Sequence, residues 1–363
     1  MNASLHKTNP RFRAPAVHIT LGTMGLMNAT HEAKAEQKFG IPIALRMPVL
    51  AIETAESALT YSAPLGPDLP SVSLPEESIL ILKDRTTQEL AAMARRHSKT
   101  RRYAEKLEEL PPTTTKDGAG GHRILSLTSF LADLPELDLR IPKLLAQERD
   151  RCRFGTQCDE GNSQSASDVM DVYIDGAGYG GTCSGAALLV ASRVKHHARL
   201  LGLKVRIHLI LVSASVAKTH DSITAWANFG VTCKAAMKAM EDASKIVFHT
   251  FAGTTITHES HSKLVDTLTL WGSSTGSLVA ADREEVASSV GLLLFYLVHS
   301  SLGNVSEAAF CDAAKTVSDR SLGYRGIRRL GMARFAVDSE LNRKVAFNAA
   351  LLQVSEMINP SVN

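Results

Sequence analysis

The sequence has no cysteine pair spaced C-x-x-C. Its five cysteines, Cys152, Cys158, Cys183, Cys233 and Cys311, are scattered and odd in number. That pattern argues against both a thiolate zinc site and a disulfide framework, and it fits the reducing cytoplasm. Charge excess is also missing: 40 Lys and Arg against 37 Asp and Glu leave a net +3. A dedicated nucleic-acid or membrane-surface protein usually shows a basic face or block, so neither partner is expected. The longest apolar stretches, Val286 to Val298 and Val205 to Val212, are too short or too interrupted to span a bilayer. Met1 to Arg13 is polar and does not read as a secretory signal. There is no internal repeat and no low-complexity tract.

What is present is a chain of 363 residues, 44% hydrophobic and 21% charged. That is enough for one large or two moderate domains, burying roughly three quarters of the unfolded surface without a staple. Val17 to Leu21 is an apolar run closed by Gly22 and Gly25, and a helical stretch from Asn28 to Lys38 follows. Pro48 to Ile52 is a second run, spaced to lie parallel to the first. Ser62 to Leu74 reads as a loop. Thr87 to Leu110 reads as one long charged helix ended by Pro111 and Pro112, and Gln147 to Ser167 as an exposed polar excursion.

Regular alternation then sets in. Val169 to Ile174, Val205 to Val212 and Lys245 to Phe251 read as strands, with helices over Ser184 to Leu201 and Asp221 to Ala243 between them. Strands alternating with helices imply a mostly parallel, Rossmann-like α/β sheet with helices on both faces. From about Thr254 the pattern turns helical, and Arg283 to His299 is the best candidate for a buried central helix. A strand near Ile327 to Phe335 and a helix from Ser339 to Met357 close the chain.

Ligands of open α/β sheets bind beyond the carboxyl ends of the strands. Three strand-end segments are glycine-rich: Gly22 to Gly25, Gly118 to Gly121 and Gly176 to Gly185. Glycines let main-chain N–H groups approach an anion, and a helix starting there adds the positive end of its dipole. The pattern suits phosphates. No Lys follows the glycines of Gly176-Ala-Gly-Tyr-Gly-Gly-Thr-Cys-Ser-Gly185, so it is not a Walker A loop. The charge would be met by N–H groups, the hydroxyls of Thr182 and Ser184, and a cation. A dinucleotide fingerprint is an alternative reading, weakened because the next strand ends in Val212-Ser213-Ala214 without an acid. A tight turn that binds nothing is another.

Gly180-Gly181-Thr182-Cys183-Ser184-Gly185 resembles the G-G-T-G-[ST]-G signature loop of the tubulin/FtsZ superfamily of polymerising GTPases, nearer its bacterial members, with Cys183 in place of a glycine. The resemblance continues in family order. Leu21 to Asn28 occupies the place of the first phosphate loop, Ala51-Ile52-Glu53-Thr54 the acidic strand end, and Gly118-Ala119-Gly120-Gly121 the loop near the terminal phosphate, with Arg123 as a further charge. The guanine-reading Asn has no counterpart between Lys245 and His258. Gly303 to Asp312, with Lys315-Thr316-Val317, resembles the synergy loop N-x-D-x-x-D that enters a neighbouring subunit's site. Asp312 matches its second carboxylate, and Ala309 stands where the first would be. A helix-capping Asp312 is the plainer alternative.

The resemblance implies a nucleotide-binding domain over 14–281, a central helix over 282–302 and a short C-terminal α+β domain over 303–363. It implies GTP or GDP with Mg²⁺ held by Gly22, Gly25, Asn28, Glu53, Gly118 to Gly121 and Gly178 to Gly185. It further implies head-to-tail homopolymers, with weak hydrolysis at the interface by Asp312. Two other function classes remain open: a non-hydrolysing nucleotide-binding scaffold, and an NAD-dependent enzyme. His258-Glu259-Ser260-His261 lacks the H-E-x-x-H spacing and reads as surface histidines. His196-His197 with Lys195 and Arg199 reads as a solvated basic helix end. Tyr179 and Trp226 are aromatics that could flank a base, and of the two only Tyr179 belongs to a motif.

Overall fold

The computed structural model describes residues 15–65, 70–116, 118–156, 169–216, 223–260, 262–271, 283–299 and 327–330. Among these residues, seven strands form the main sheet: β1 (Ala16–Leu21), β2 (Val49–Glu53), β3 (Ile79–Ile81), β4 (Val169–Ala177), β5 (Lys204–Val212), β6 (Thr267–Trp271) and β7 (Ile327–Leu330). They lie in the order β7-β6-β5-β4-β1-β2-β3, and every pairing is parallel. The order reverses between β1 and β4, where Leu21 pairs with Gly176. A doubly wound sheet opens its ligand crevice at that switch point.

Among the described residues, eight α-helices accompany the sheet: α1 (Gly22–Lys38), α2 (Thr87–Arg95), α3 (Arg101–Glu108), α4 (Arg123–Ala132), α5 (Leu134–Thr156), α6 (Gly181–Leu200), α7 (Ile223–Glu241) and α8 (Arg283–His299). Alternate strand residues divide between two cores, as the period of two requires. Val17, Ile19, Leu21, Val172, Ile174, Leu209 and Leu211 pack under the α2 to α7 side. Ala16, Tyr173, Ala177, Ile210 and Val212 meet Met24 and Met27 of α1 and Val286, Val290 and Leu294 of α8. The helices α1 and α8 approach backbone to backbone, because a Cβ on Gly291 would stand 2.6 Å from Glu32 N and 2.7 Å from Asn28 O.

Several expectations are corrected. The charged helix over Thr87 to Leu110 is two helices, α2 and α3. Thr100 breaks it by donating its hydroxyl to the carbonyls of Ala94 and His97, a competitor for helical bonding. The Ser62 to Leu74 loop contains a short antiparallel pair, Ala63–Pro64 with Ser71–Val72. Gln147 to Thr156 continues α5, and Glu148 is fully buried, accepting the Ala16 N–H at 2.9 Å. Residues 157–168 lie outside the described residues. The strand expected over Lys245 to Phe251 is only Phe248–His249, paired in a hairpin with Thr255–Ile256 off the main sheet. The strand that does join the sheet is β6, in a stretch read as helical.

Candidate functional site

The carboxyl ends of β1, β2 and β4 open onto a cavity of about 330 Å³. Its walls come from three separate glycine segments: Gly22-Thr23-Met24, Gly118 to Gly121, and Tyr179 to Cys183, with Glu53 and Ala55 from the end of β2. Helices α1 and α6 both begin on this wall. Neither has a side-chain cap, and neither carries an acidic residue in its first turn. The first N–H groups of a helix have no intrahelical partner, so two uncapped helix starts present donors and positive dipole ends to one cavity.

Glycine is required here by conformation and by space. Gly22, Gly118, Gly120 and Gly121 have φ of 76°, 92°, 55° and 81°, a region that side chains disfavour. A Cβ on Gly181 would meet Ala119 Cβ at 2.8 Å and His122 N at 2.9 Å, so this glycine lets the Gly118 to Gly121 loop rest on the start of α6. Thr54 and Thr182 link β2 to α6 through their hydroxyls at 3.3 Å, and Ser126 donates to the Thr182 carbonyl at 2.9 Å.

Other expected site residues stand behind the cavity. A Cβ on Gly25 would meet Thr20 and Asp175, one on Gly178 would meet Phe229, and one on Gly185 would lie 2.3 Å from the Arg123 carbonyl. These three are close-packing positions. Ser184 donates back to the Gly181 carbonyl, and Asn28 donates to Asp175 Oδ2 at 2.7 Å. Arg123 is committed to the Ser184 carbonyl through Nε at 3.0 Å. Cys183 is buried beside Gly176, its sulfur filling space that a Cβ there would take. Burial first, then Asp175, pushes its thiol well up, which keeps it neutral and unreactive. Asp312 and the rest of 303–326 lie outside the described residues, as does the helix expected over Ser339 to Met357.

Two residues outside the expected site set hold the site together. Asn228 on α7 donates to the carbonyls of Gly121 (2.7 Å) and Tyr179 (3.2 Å), clamping two of the three loops. Arg283, the first residue of α8, lines the cavity and hydrogen-bonds Tyr179. It is the one cationic side chain on the wall among the described residues. Burial raises the pKa of the Tyr179 phenol while Arg283 draws it down, so Tyr179 serves as a neutral donor or acceptor. Neither residue belongs to a glycine motif, and no local signal marks Arg283.

Glu53 accepts N–H groups from Thr54 (2.7 Å) and Ala55 (3.2 Å) on one oxygen and the Thr23 hydroxyl (2.9 Å) on the other. Burial raises its pKa, and those donors oppose the rise. Its carboxylate ties the end of β2 to the start of α1.

Directly behind the cavity lies an ionic cluster. His18 on β1 sits between Glu32 (Nδ1 to Oε2, 2.7 Å) and Asp175 (Nε2 to Oδ1, 3.2 Å), all at most 1% exposed. Burial is the largest influence on His18 and lowers its pKa, but the Asp175 and Glu32 carboxylates together overcome it and hold it at about 10. Burial raises Glu32 to about 7, with His18 pulling the other way. Both folded-state values lie above those of the unfolded chain, so protonation favours folding. Stability should therefore fall as pH rises, from Glu32 between about 4.5 and 7 and from His18 between about 6.5 and 10. Melting temperatures across pH 5 to 10 check this. The expected result is a steady decline in stability across that range, and a wild-type profile level across it would contradict the coupling.

No family model and no curated protein matches the sequence. Solved structures do match in outline. CetZ from Methanosaeta thermophila is 12% identical with a TM-score of 0.44, over 79% of this chain and 54% of that one. Clostridium botulinum phage c-st TubZ is 10% identical with a TM-score of 0.43, over 80% and 62%. Haloferax volcanii CetZ2, a GTPγS-bound protofilament, is 16% identical with a TM-score of 0.38, over 77% and 58%. The chain resembles CetZ and TubZ in fold. It spans between about half and under two thirds of the length of these structures. Among the described residues, no helix is long and apolar enough to cross a membrane, and no cluster of His, Cys, Asp or Glu could hold a metal by itself.

Proposed function

We propose that the cavity binds the phosphates of a purine nucleoside triphosphate, GTP in the first instance, in a divergent relative of the tubulin/FtsZ GTPases. The observation that carries this reading is the convergence of three glycine segments and two uncapped helix starts on one wall, with Arg283 beside them. Main-chain amides supply most of the anion contacts and Arg283 supplies charge, in place of a P-loop lysine. The donors at the β2 end, Glu53 with the hydroxyls of Thr23 and Thr54, are all oxygen and suit Mg²⁺, which takes its remaining ligands from phosphates and water. Bound there, the ion would neutralise charge on the terminal phosphates.

In this reading the subunits stack head to tail, and Asp312 of one subunit reaches the terminal phosphate of the next. Ala309 leaves that carboxylate without the partner the resemblance would place beside it, so hydrolysis is slow. Light scattering and phosphate release check this: Asp312→Ala should lose GTP-dependent assembly while binding is kept. Assembly unchanged in that variant would remove Asp312 from the mechanism.

The Ala309 substitution also favours the second reading, a nucleotide-binding scaffold without turnover. Phosphate release that rises with protein concentration would rule it out. A nicotinamide dinucleotide would call on an acid at the end of β2 for its ribose diol. Glu53 stands there, but its Oε1 is filled by the Thr54 and Ala55 N–H groups, so only Oε2, beside the Thr23 hydroxyl, has room for one ligand and none is left for both hydroxyls of a diol.

A further inference from the structure

Two motifs that separately read as ordinary surface meet in one groove. The far half of α6, carrying Arg193, Lys195, His196 and Arg199, faces His258 and Glu259 from the segment after the hairpin, enclosing a cavity of about 740 Å³ with the start of β5. Helix α6 begins at the nucleotide cavity, so at 1.5 Å per residue this groove lies about 15–25 Å away, at the opposite end of the strands.

Two of the charges here, on Arg193 and Lys195, are held in place. Arg193 is 9% exposed and donates Nε to Asp138 at 2.7 Å. Lys195 donates to the Val205 carbonyl (3.0 Å) and to Asp266 (3.1 Å), a carboxylate also engaged by the Ile207 N–H at 2.8 Å. Ser192 and His258 share a hydrogen bond at 2.8 Å. Lys204 and Lys263 stand exposed at the rim. Among the described residues, five Lys and Arg side chains line the groove and Glu259 is the one carboxylate on its walls. Counting Asp138 and Asp266 behind them, positive charge still exceeds negative. His258 registers this: burial first, then Arg193, Arg199 and Lys195, hold its pKa below the ordinary value.

We propose that this groove is a second anion site, which takes a small soluble polyanion bearing several phosphate groups. The volume fits a small ligand, and the site is a recess rather than a strip, which favours a compact ligand over an acidic polypeptide. Guanidinium and ammonium groups held by carboxylates behind them are already positioned, so little side-chain order is lost on binding.

Proton NMR titration of His258 in the full chain, with and without inorganic tripolyphosphate, tests the site where it lies and does not depend on the nucleotide reading. Tripolyphosphate should move the His258 midpoint up by about 1 pH unit, since an anion within a few ångströms favours imidazolium. The effect should weaken with added salt. It should be lost in Lys204→Glu/Lys263→Glu, whose exposed positions leave folding intact, and kept in Gly181→Val, a change at the other end of α6, under conditions where that variant is folded. A midpoint unmoved at about 10 mM tripolyphosphate overturns the proposal. So does a full shift retained in the double variant, or a shift produced by poly-glutamate and not by tripolyphosphate.

Discussion

Gly181→Val should lower nucleoside triphosphate affinity by about 100-fold or more, equivalent to about 2.7 kcal/mol. The new Cβ would stand 2.8 Å from Ala119 Cβ, 2.9 Å from His122 N and 3.1 Å from Gly121 C. Two of these neighbours are backbone and cannot swing away, so the Gly118 to Gly121 loop must lift off the start of α6. The hydrogen bond between Asn228 and the Gly121 carbonyl then stretches, and one of the three loops leaves the anion. Overpacking should also cost about 1–3 kcal/mol of stability, which circular dichroism at the working temperature would separate from the loss of binding. Affinity within about threefold of wild type would mean that the loop does not contribute to binding.

The second large effect concerns the ionic cluster behind the cavity. His18→Leu should lower the unfolding free energy by about 3–5 kcal/mol, because Glu32 and Asp175 would remain buried without their shared cation. Urea denaturation measures it. His18→Leu combined with Glu32→Leu should recover part of the loss, since a buried pair replaced by apolar groups is often close to neutral. If the double variant were no more stable than the single one, packing rather than charge would account for the cluster. Asp175 precedes Gly176 on β4, and Asn28 and Glu32 lie on α1, so the cluster fixes two of the strands and helices that carry the anion loops.

The alternation of apolar runs with helix-length segments was enough to read the parallel sheet, because buried parallel strands such as Ala16–Leu21 and Lys204–Val212 are apolar along much of their length. The glycine segments were legible for the same local reason, since positive φ and close approach both demand glycine. What failed was set by tertiary contacts. Thr267–Trp271 alternates Thr-Leu-Thr-Leu, a strand signal, yet it sits among segments whose composition looks helical. The break at Thr100 depends on a side chain choosing the carbonyls of Ala94 and His97 over solvent, and no periodicity announces that choice. Asn228 and Arg283 act at the cavity from helices distant in sequence. Gly25, Gly178 and Gly185 show the converse: their place in a glycine motif suggested phosphate contact, and the structure uses them to pack elements together.

Head-to-tail assembly, hydrolysis and the choice of base all presuppose that the three glycine segments form one phosphate site. Calorimetric titration of the purified chain with GTP and with ATP, in Mg²⁺, tests that directly. Saturable binding of at least one of them is expected, with one site per chain, weakened about 100-fold or more by Gly181→Val and to a lesser degree by Arg283→Ala. Absence of binding to either nucleotide at millimolar concentration by a folded chain would contradict it.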